Sequence, residues 1–171
     1  MYASVWEVMD RAGSAVGLCT AKGGHILKGD LMLTDDGPQV LELTTRLSGG
    51  FDSGWTSPLA HGVDYTKGAL LLALGRPLSE AMPYFTPRWH RHAVCIAVLG
   101  PEQGGTIAHI IGLEKARLMA EVILRFHAGD QLPPLRDCTA RVAFCIADGN
   151  SFFQAFNAAR AAADVIEVEV A

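Results

Sequence analysis

A predicted β-hairpin constrains the fold of this chain more than any other sequence feature. Within residues 26–46, two apolar runs flank Asp35, Asp36 and Gly37. Strand-like runs joined by a short loop that contains Asp and Gly are typical of a hairpin. We predict a three-residue loop centred on Asp36, in which Gly37 takes a left-handed backbone conformation. The position of this loop fixes which side chains of the two strands face each other.

Two carboxylates, those of Asp30 and Glu42, lie directly opposite each other in this register, and Lys28 lies opposite Thr44. Side chains alternate between faces along a strand, so one face carries Lys28, Asp30, Met32, Val40, Glu42, Thr44 and Arg46. Like charges placed opposite each other repel and destabilise the pair. A divalent cation between the carboxylates would remove this repulsion, because Mg²⁺ prefers oxygen ligands. The alternative is a solvated face on which both carboxylates point into water.

The composition limits the classes of protein to which this chain can belong. A chain of 171 residues, half of them hydrophobic, is long enough for one ordinary domain or two small units with a buried core. Its net charge of −4 and 14 scattered basic residues argue against nucleic-acid binding, which relies on clustered Lys and Arg. The longest apolar runs are shorter than the ~20 residues that a membrane helix needs, and no apolar leader opens the chain. We expect a soluble, cytoplasmic protein with neither nucleic acid nor membrane as a partner.

The cysteines indicate a reducing compartment. None of them forms a CxxC pair, and their positions are Cys19, Cys95, Cys138 and Cys145. Free cysteine behaves as a small hydrophobic residue, so we expect buried thiols. Their spacing relative to the six histidines matches no zinc site. Thiols that are neither paired nor bound to metal suit the cytoplasm.

The amino-terminal part of the chain is predicted to be helical on both sides of the hairpin. Residues 4–16 carry apolar side chains at helical spacing, and a glycine- and serine-rich loop follows the hairpin. Asp64 is a candidate amino-terminal cap for a helix that Gly75 ends. We place a first domain at residues 1–78 and a connector at residues 79–89.

The carboxyl-terminal part, predicted as a small domain over residues 90–171, has β character. Its first two strand-like runs, separated by residues 101–104, are predicted to pair as antiparallel neighbours. Two further strands are predicted, within residues 120–126 and 139–149. A helix capped by Asn150 or Ser151 then follows, and a short strand ends the chain. The apolar stripe of this helix, predicted to pack into the core, comprises Phe152, Phe153, Phe156, Ala159 and Ala163. Both parts together indicate an α+β fold.

The hairpin and the segments after it resemble the carboxyl-terminal half of the ATP-grasp ligases, the superfamily of biotin carboxylase, carbamoyl-phosphate synthase and glycinamide ribonucleotide synthetase. The segments that match in order and spacing are residues 30–46, 47–50, 61–64 and 73–78. A weaker likeness continues through residues 126–130 and 140–142 into the final helix. The resemblance implies the carboxyl-terminal lobe of an ATP-grasp domain, an antiparallel hairpin with flanking helices. A small β-rich domain with one helix would follow it.

The resemblance also implies a site for ATP and for Mg²⁺ or Mn²⁺ on the hairpin. Asp30 and Glu42 would be metal ligands, together with Thr44 where the family usually has an asparagine, because a hydroxyl can also coordinate a hard cation. Arg46 is implied as the catalytic residue that binds a carboxylate or phosphate with two hydrogen bonds, the alternative being an ion pair with Glu42 or Asp52. Residues implied to contact the cofactor are Lys28, Ser48, Gly49 and Gly50. The alternatives are a charge-offsetting role for the lysine and a plain turn for the loop.

The function implied by the resemblance is that of a ligase part. The family uses ATP to convert a small carboxylate into an acyl phosphate, which a nucleophile then attacks. The family's lid and its phosphate-binding lysines are not recognised before the hairpin. We expect the metal- and phosphate-binding carboxyl-terminal part of such a ligase, inactive as an isolated chain and completed by an amino-terminal half or a separate complementary chain. The alternative is a degenerate remnant that acts as a non-catalytic interaction or dimerisation module, for example in a homodimer.

Overall fold

The structure, a computed structural model, describes residues 2–18 and 24–171. Its helices are α1 (Tyr2–Ala15), α2 (Ser57–His61), α3 (Tyr65–Ala73), α4 (Leu78–Ala81), α5 (Leu113–Arg117) and α6 (Phe152–Asp164). Its strands are β1 (Lys28–Thr34), β2 (Gly37–Thr44), β3 (His92–Leu99), β4 (Gly105–Ile111), β5 (Glu121–Leu124), β6 (Gln131–Leu132), β7 (Arg141–Gly149) and β8 (Glu167–Val170). In these described ranges, no helix is both long and apolar enough to cross a membrane.

The chain divides into two compact units. The first comprises Met1–Gly49 and Val63–Arg88, and the second comprises Gly50–Gly62 and Trp89–Ala171. Residues 50–62, which the sequence places in the first domain, group by their contacts with the second unit. The predicted domain limits stay a prediction, whereas the α+β class with antiparallel sheets is confirmed.

The first unit contains the predicted hairpin, formed by the antiparallel strands β1 and β2. Asp30 pairs with Glu42 and Lys28 pairs with Thr44, which confirms the predicted register at this end of the hairpin. Cross-strand partners share a face of the sheet, so these four side chains extend from the same side. The hairpin therefore gathers the candidate metal ligands by local pairing alone.

The turn end of the hairpin differs from the predicted three-residue loop. Thr34 pairs with Gly37, so the loop has two residues, and Gly37 has the predicted positive φ, at 100°. A β-bulge at Leu41 compensates for the shorter loop, so that Val40 pairs with Leu31. A one-residue shift exchanges the faces of a strand, and Val40 therefore leaves the acidic face on which the sequence placed it.

Single residues determine where two helices begin and one ends. The Asp64 carboxylate accepts a hydrogen bond from the backbone N–H of Lys67 at 2.9 Å, which confirms it as the cap of α3. Gly75, with a φ of 72°, follows the end of that helix as predicted. The Ser151 hydroxyl accepts from the N–H of Gln154 at 3.2 Å and caps α6. Local polar chemistry is sufficient to set these boundaries.

The second unit contains two three-stranded antiparallel sheets, ordered β3-β7-β5 and β6-β4-β8. The predicted pairing of the first two strands is wrong, because β3 pairs with β7 while β4 pairs with β6 and β8. The link between them therefore leads from one sheet to the other. The short helix α5, which follows β4, has no counterpart in the sequence prediction.

The core of the second unit lies around β7, where residues 142–147 are buried. Helix α6 packs against β3 and β7 and buries Ala155, Ala159 and Ala162 completely. The predicted burial of its aromatic stripe is wrong, since the exposed fractions of Phe152, Phe153 and Phe156 are 52%, 73% and 37%. Small alanine side chains let the helix backbone lie close to the sheet, which leaves the larger rings on the outer side.

The cysteines of the described residues are free thiols in three different environments. Cys145 is buried, as predicted, Cys95 is half-buried, and Cys138 is exposed, contrary to the prediction. Cys19 lies outside the described residues. Desolvation raises the pKa of Cys145 to about 11, and the nearby Cys95 adds to this effect. The buried thiol therefore stays protonated at neutral pH.

Candidate functional site

The first candidate site, on the hairpin, has an ammonium group between two carboxylates. Lys28 Nζ donates a hydrogen bond to Asp30 Oδ2 and lies 3.7 Å from Glu42 Oε1. The Thr44 hydroxyl donates to the same Glu42 oxygen at 2.9 Å. The structure thus brings the predicted metal ligands together and adds a lysine that interacts with both carboxylates.

The lysine is more buried than the two acids that it contacts. The side chain of Lys28 is 21% exposed, whereas those of Asp30 and Glu42 are 52% and 58% exposed. The hydrogen bond to Asp30 raises the pKa of Lys28 above its ordinary value, and the charges of both carboxylates act in the same direction. Desolvation and the positive charge of Arg46 act against this shift. The ammonium is therefore fully charged at neutral pH.

The donor atoms of this site fit a hard divalent cation. Asp30, Glu42 and Thr44 offer carboxylate and hydroxyl oxygens, the ligand types that Mg²⁺ and Mn²⁺ prefer. In the described part of the chain, no three His, Cys, Asp or Glu side chains gather as a metal site. The hairpin residues would therefore supply only part of a coordination shell. Such a partial set suits Mg²⁺, which usually keeps waters and substrate phosphates as its other ligands.

Arg46 lies just beyond β2, and its side chain is exposed. Its Nη1 donates a hydrogen bond to the backbone carbonyl of Leu47 at 2.8 Å. Across residues 2–18 and 24–171 it forms no ion pair, so the alternative pairing with Glu42 or Asp52 is not present in the structure. A guanidinium carries several further N–H donors, and these can bind a carboxylate or phosphate.

The glycine-rich loop after Arg46 has an accessible backbone. A Cβ atom added at Gly49 or Gly50 would meet no atom within 4 Å, and Gly50 has a φ of 64°. The space beside both Cα atoms is therefore open, as close approach of a ligand to the backbone requires. Ser48 and Gly49 belong to the first unit, and Gly50 belongs to the second. A role of this loop in cofactor binding stays a prediction.

The second unit contains an open cleft that the sequence does not indicate. Its volume is about 370 Å³, and its apolar wall includes Phe51, Ile123, Leu124 and Phe144. Arg125 and Arg141 also line it, and within the described ranges neither forms an ion pair. Arg125 Nη1 donates to the carbonyl of Cys138 at 3.0 Å. Two guanidinium groups beside an apolar wall suit an anionic ligand with an apolar part.

A strained aromatic residue shapes the wall of this cleft. Phe51 has a φ of 67°, in the left-handed region that costs a non-glycine residue about 1–3 kcal/mol. Its ring centroid lies 4.5 Å from that of Phe144 and 5.2 Å from that of Trp55. The Trp55 indole in turn donates to Glu121 at 3.0 Å. The cleft has no sequence signature because its residues come from segments far apart in the chain.

Solved structures identify the fold of the chain. The chain matches L-amino acid ligase from Bacillus licheniformis at 19% identity with a TM-score of 0.76, covering 99% of this chain and 43% of that one. It matches phosphoribosylglycinamide synthetase from Anaerococcus prevotii at 12% identity with a TM-score of 0.71, covering 85% and 37%. It matches N5-carboxyaminoimidazole ribonucleotide synthetase from Thermotoga maritima at 20% identity with a TM-score of 0.66, covering 100% and 44%. The chain spans less than half the length of each. It has the fold of the carboxyl-terminal part of an ATP-grasp ligase, which confirms the resemblance.

A protein-family model matches the carboxyl-terminal part of the chain. Residues 88–171 match the family described as L-amino acid ligase C-terminal domain 2. The match begins at the connection into the second unit and continues to the end of the chain. None of the curated proteins matches the sequence significantly. The candidate metal ligands on the hairpin lie outside the matched residues, so their assignment stays a prediction.

Proposed function

We propose that this chain is the metal- and phosphate-binding carboxyl-terminal part of an ATP-dependent carboxylate ligase. The observation that carries the proposal is the pairing of Asp30 with Glu42 across a hairpin of the ATP-grasp fold. Phosphoryl transfer depends mostly on positioning and on neutralisation of charge, so carboxylates that hold a divalent cation are a central requirement. Mg²⁺ or Mn²⁺, when bound together with ATP, would supply that neutralisation.

Residues near Asp30 and Glu42 have the other roles in the proposed reaction. Thr44, hydrogen-bonded to Glu42, orients that carboxylate and offers a third oxygen. The Arg46 guanidinium binds the carboxylate of the substrate or the phosphate transferred to it, which gives an acyl phosphate. The backbone N–H groups around Gly49 and Gly50 contact phosphate oxygens. A nucleophile then displaces the phosphate from the acyl carbon.

The substrate proposed for this ligase is an L-amino acid. The family model of residues 88–171 and the Bacillus licheniformis neighbour both carry that substrate in their descriptions. The cleft of the second unit is suited to part of such a substrate, because it combines the charges of Arg125 and Arg141 with an apolar wall. We propose that this cleft takes an anionic group attached to an apolar one.

The isolated chain is proposed to be inactive and to require an amino-terminal ligase half as its partner. The chain spans 37–44% of the length of its structural neighbours. Its hairpin also exposes apolar side chains, with exposed fractions of 53%, 55% and 64% for Met32, Leu33 and Leu41. A neighbouring lobe would cover such side chains in a complete ligase. The free thiols are consistent with the cytoplasm as its compartment.

Calorimetry and a coupled assay for ADP release test this proposal. We expect the chain alone, with MgATP and a mixture of L-amino acids, to release no ADP above the blank. Micromolar affinity for MgATP together with steady ADP release would overturn the proposed inactivity. The metal role is tested separately by titration with Mn²⁺, where Asp30→Asn should weaken binding, and an unchanged affinity would contradict the site.

An interaction module is the second candidate function, and the exposed apolar hairpin favours it. In a non-catalytic remnant, a second copy of the chain would cover Leu33 and Leu41 instead of an amino-terminal lobe. Sedimentation velocity distinguishes the two functions. A monomer supports the ligase part, and a dimer that dissociates on Leu41→Glu supports the module.

A further inference from the structure

The position of Lys28 bears on how the proposed metal site is filled. Its ammonium contacts Asp30 Oδ2 and lies 3.7 Å from Glu42 Oε1, so one positive charge serves both carboxylates. The register places this lysine two residues before Asp30 on the same face and opposite Thr44. It is the most buried of the three charged groups, with 21% of its side chain exposed.

Two facing carboxylates repel each other, and the hairpin already has a cation that offsets part of this repulsion. Without a cation, like charges on cross-strand partners destabilise a sheet. With the ammonium in place, the hairpin can fold without metal. A divalent cation that approaches the same oxygens must meet a positive charge at close range, and like charges at that distance repel each other. The ammonium and the metal therefore compete.

We propose that Lys28 is a built-in counter-ion that holds the cation position between Asp30 and Glu42 and that must leave before a divalent metal binds there. This inference rests on the proposed function and adds a mechanism that limits metal binding at the proposed site. Metal affinity is set by how readily the lysine leaves, and the lysine offsets one of the two negative charges while no metal is bound. The site is thus kept from binding metal tightly until other ligands, such as nucleotide phosphates, add to the coordination.

Titration of the full chain with Mn²⁺, followed by electron paramagnetic resonance, tests the competition. Lys28→Met removes the charge at nearly equal length and should tighten Mn²⁺ binding roughly tenfold. Lys28→Arg keeps the charge and should bind Mn²⁺ about as weakly as the wild-type chain. Lys115→Met, a matched change of charge on an exposed residue of α5, should leave the affinity unchanged. Equal or weaker binding by Lys28→Met than by the wild-type chain would overturn the proposal.

Asp30→Asn separates failure of this inference from failure of the proposed function. One outcome is that the wild-type chain binds Mn²⁺ more tightly than Asp30→Asn while Lys28→Met binds it no more tightly than wild type. That result would support the metal site and show that the proposed competition between Lys28 and the metal is wrong. If no variant binds Mn²⁺ more tightly than Asp30→Asn, the proposed metal site is wrong and the competition fails with it.

A measurement on the wild-type chain avoids any dependence on how well the variants fold. The side-chain ammonium groups of ¹⁵N-labelled lysines can be followed by nuclear magnetic resonance during titration with Mg²⁺. We expect the Lys28 signal to shift or broaden selectively, while that of Lys115 stays unchanged. Saturation with Mg²⁺ that leaves the Lys28 signal in place would show that the ammonium does not leave, and would overturn the proposal.

Discussion

The hairpin of the first unit and the β7 sheet of the second unit use their side chains in opposite ways. Strand β7 is buried over residues 142–147 and forms the centre of a core. The hairpin exposes Leu33 and Leu41 by more than half and places its charged residues on one face. We therefore expect the buried residues of β7 to serve the fold and the exposed charged residues of the hairpin to serve binding. Substitutions at those hairpin residues should report on binding, and substitutions at residues 142–147 of β7 should report on folding.

The largest expected effect is a loss of stability from truncation in the second unit. Ile107, which is 1% exposed, packs with Leu132 and Val142. Ile107→Ala should lower the free energy of unfolding by about 2–5 kcal/mol, because it removes buried contacts and leaves a cavity. Leu41→Ala, at an exposed bulge, should change it by less than about 0.5 kcal/mol. Urea denaturation measures the free energy of unfolding of both variants. Comparable losses from the two substitutions would contradict the proposed difference between the hairpin and the second unit.

A pH dependence of stability should also belong to the second unit. Burial raises the pKa of Cys145 from its ordinary 9.0 to about 11. Above pH 9 the unfolded thiol ionises while the folded one keeps its proton, so stability falls between pH 9 and about 11, by on the order of 2 kcal/mol. Below pH 9 both states are protonated and this contribution is constant.

Denaturant melts of Cys145→Ala across pH 8–11 check this effect. The difference in unfolding free energy between wild type and this variant should shrink as the pH rises through that window. Val142→Ala, a truncation at a buried residue of β7 that carries no titratable group, is the control, and its difference from wild type should not vary with pH. A Cys145→Ala difference that is independent of pH would contradict the prediction.

A smaller effect is expected from neutralising either hairpin carboxylate. Asp30→Asn and Glu42→Gln should each weaken Mn²⁺ binding roughly tenfold, since each removes a charged oxygen ligand. Asp36→Asn, the same change in the turn, should leave the affinity unchanged. The stability of all three variants should stay within about 1 kcal/mol of wild type, because the side chains are exposed. A large loss of stability would mean that the hairpin pair serves the fold instead.

The smallest effect concerns the cleft of the second unit. Arg141→Met should reduce the affinity for a carboxylate with an apolar group, such as an N-acetylated L-leucine, by a factor of about 3–10. Fluorescence of Trp55, which packs against the Phe51 ring of the cleft wall, can follow the titration. The exposed Arg136→Met is the control. Equal affinity of Arg141→Met and wild type would exclude a role of Arg141 in anion binding.

Sequence reasoning succeeded where the structure is determined locally. The pairing of Asp30 with Glu42 follows from the position of the turn and the alternation of strand side chains. The caps at Asp64 and Ser151 follow from the chemistry of helix ends. The loop length was wrong because the Leu41 bulge, several residues away, compensates for a shorter turn.

Sequence reasoning failed where packing between distant segments decides. Phe153 has the hydrophobicity of a core residue, yet the space beside the sheet admits only the alanine face of α6. The pairing of β3 with β7 depends on contacts between residues about fifty positions apart along the chain. Arg125 and Arg141 line one cleft because β5, which Arg125 follows, pairs with β7, so no spacing in the sequence reveals the cleft.

The most direct test of the central claim locates a bound paramagnetic ion on the ¹⁵N-labelled chain. Substoichiometric Mn²⁺ broadens the amide signals of residues close to it. The account predicts that the signals of Asp30, Glu42 and Thr44 broaden first, and that the Asp30→Asn variant loses this selectivity. Broadening that begins elsewhere, for example at Asp35 and Asp36 of the turn or at Glu167 and Glu169 of β8, would contradict a metal site between the two hairpin carboxylates.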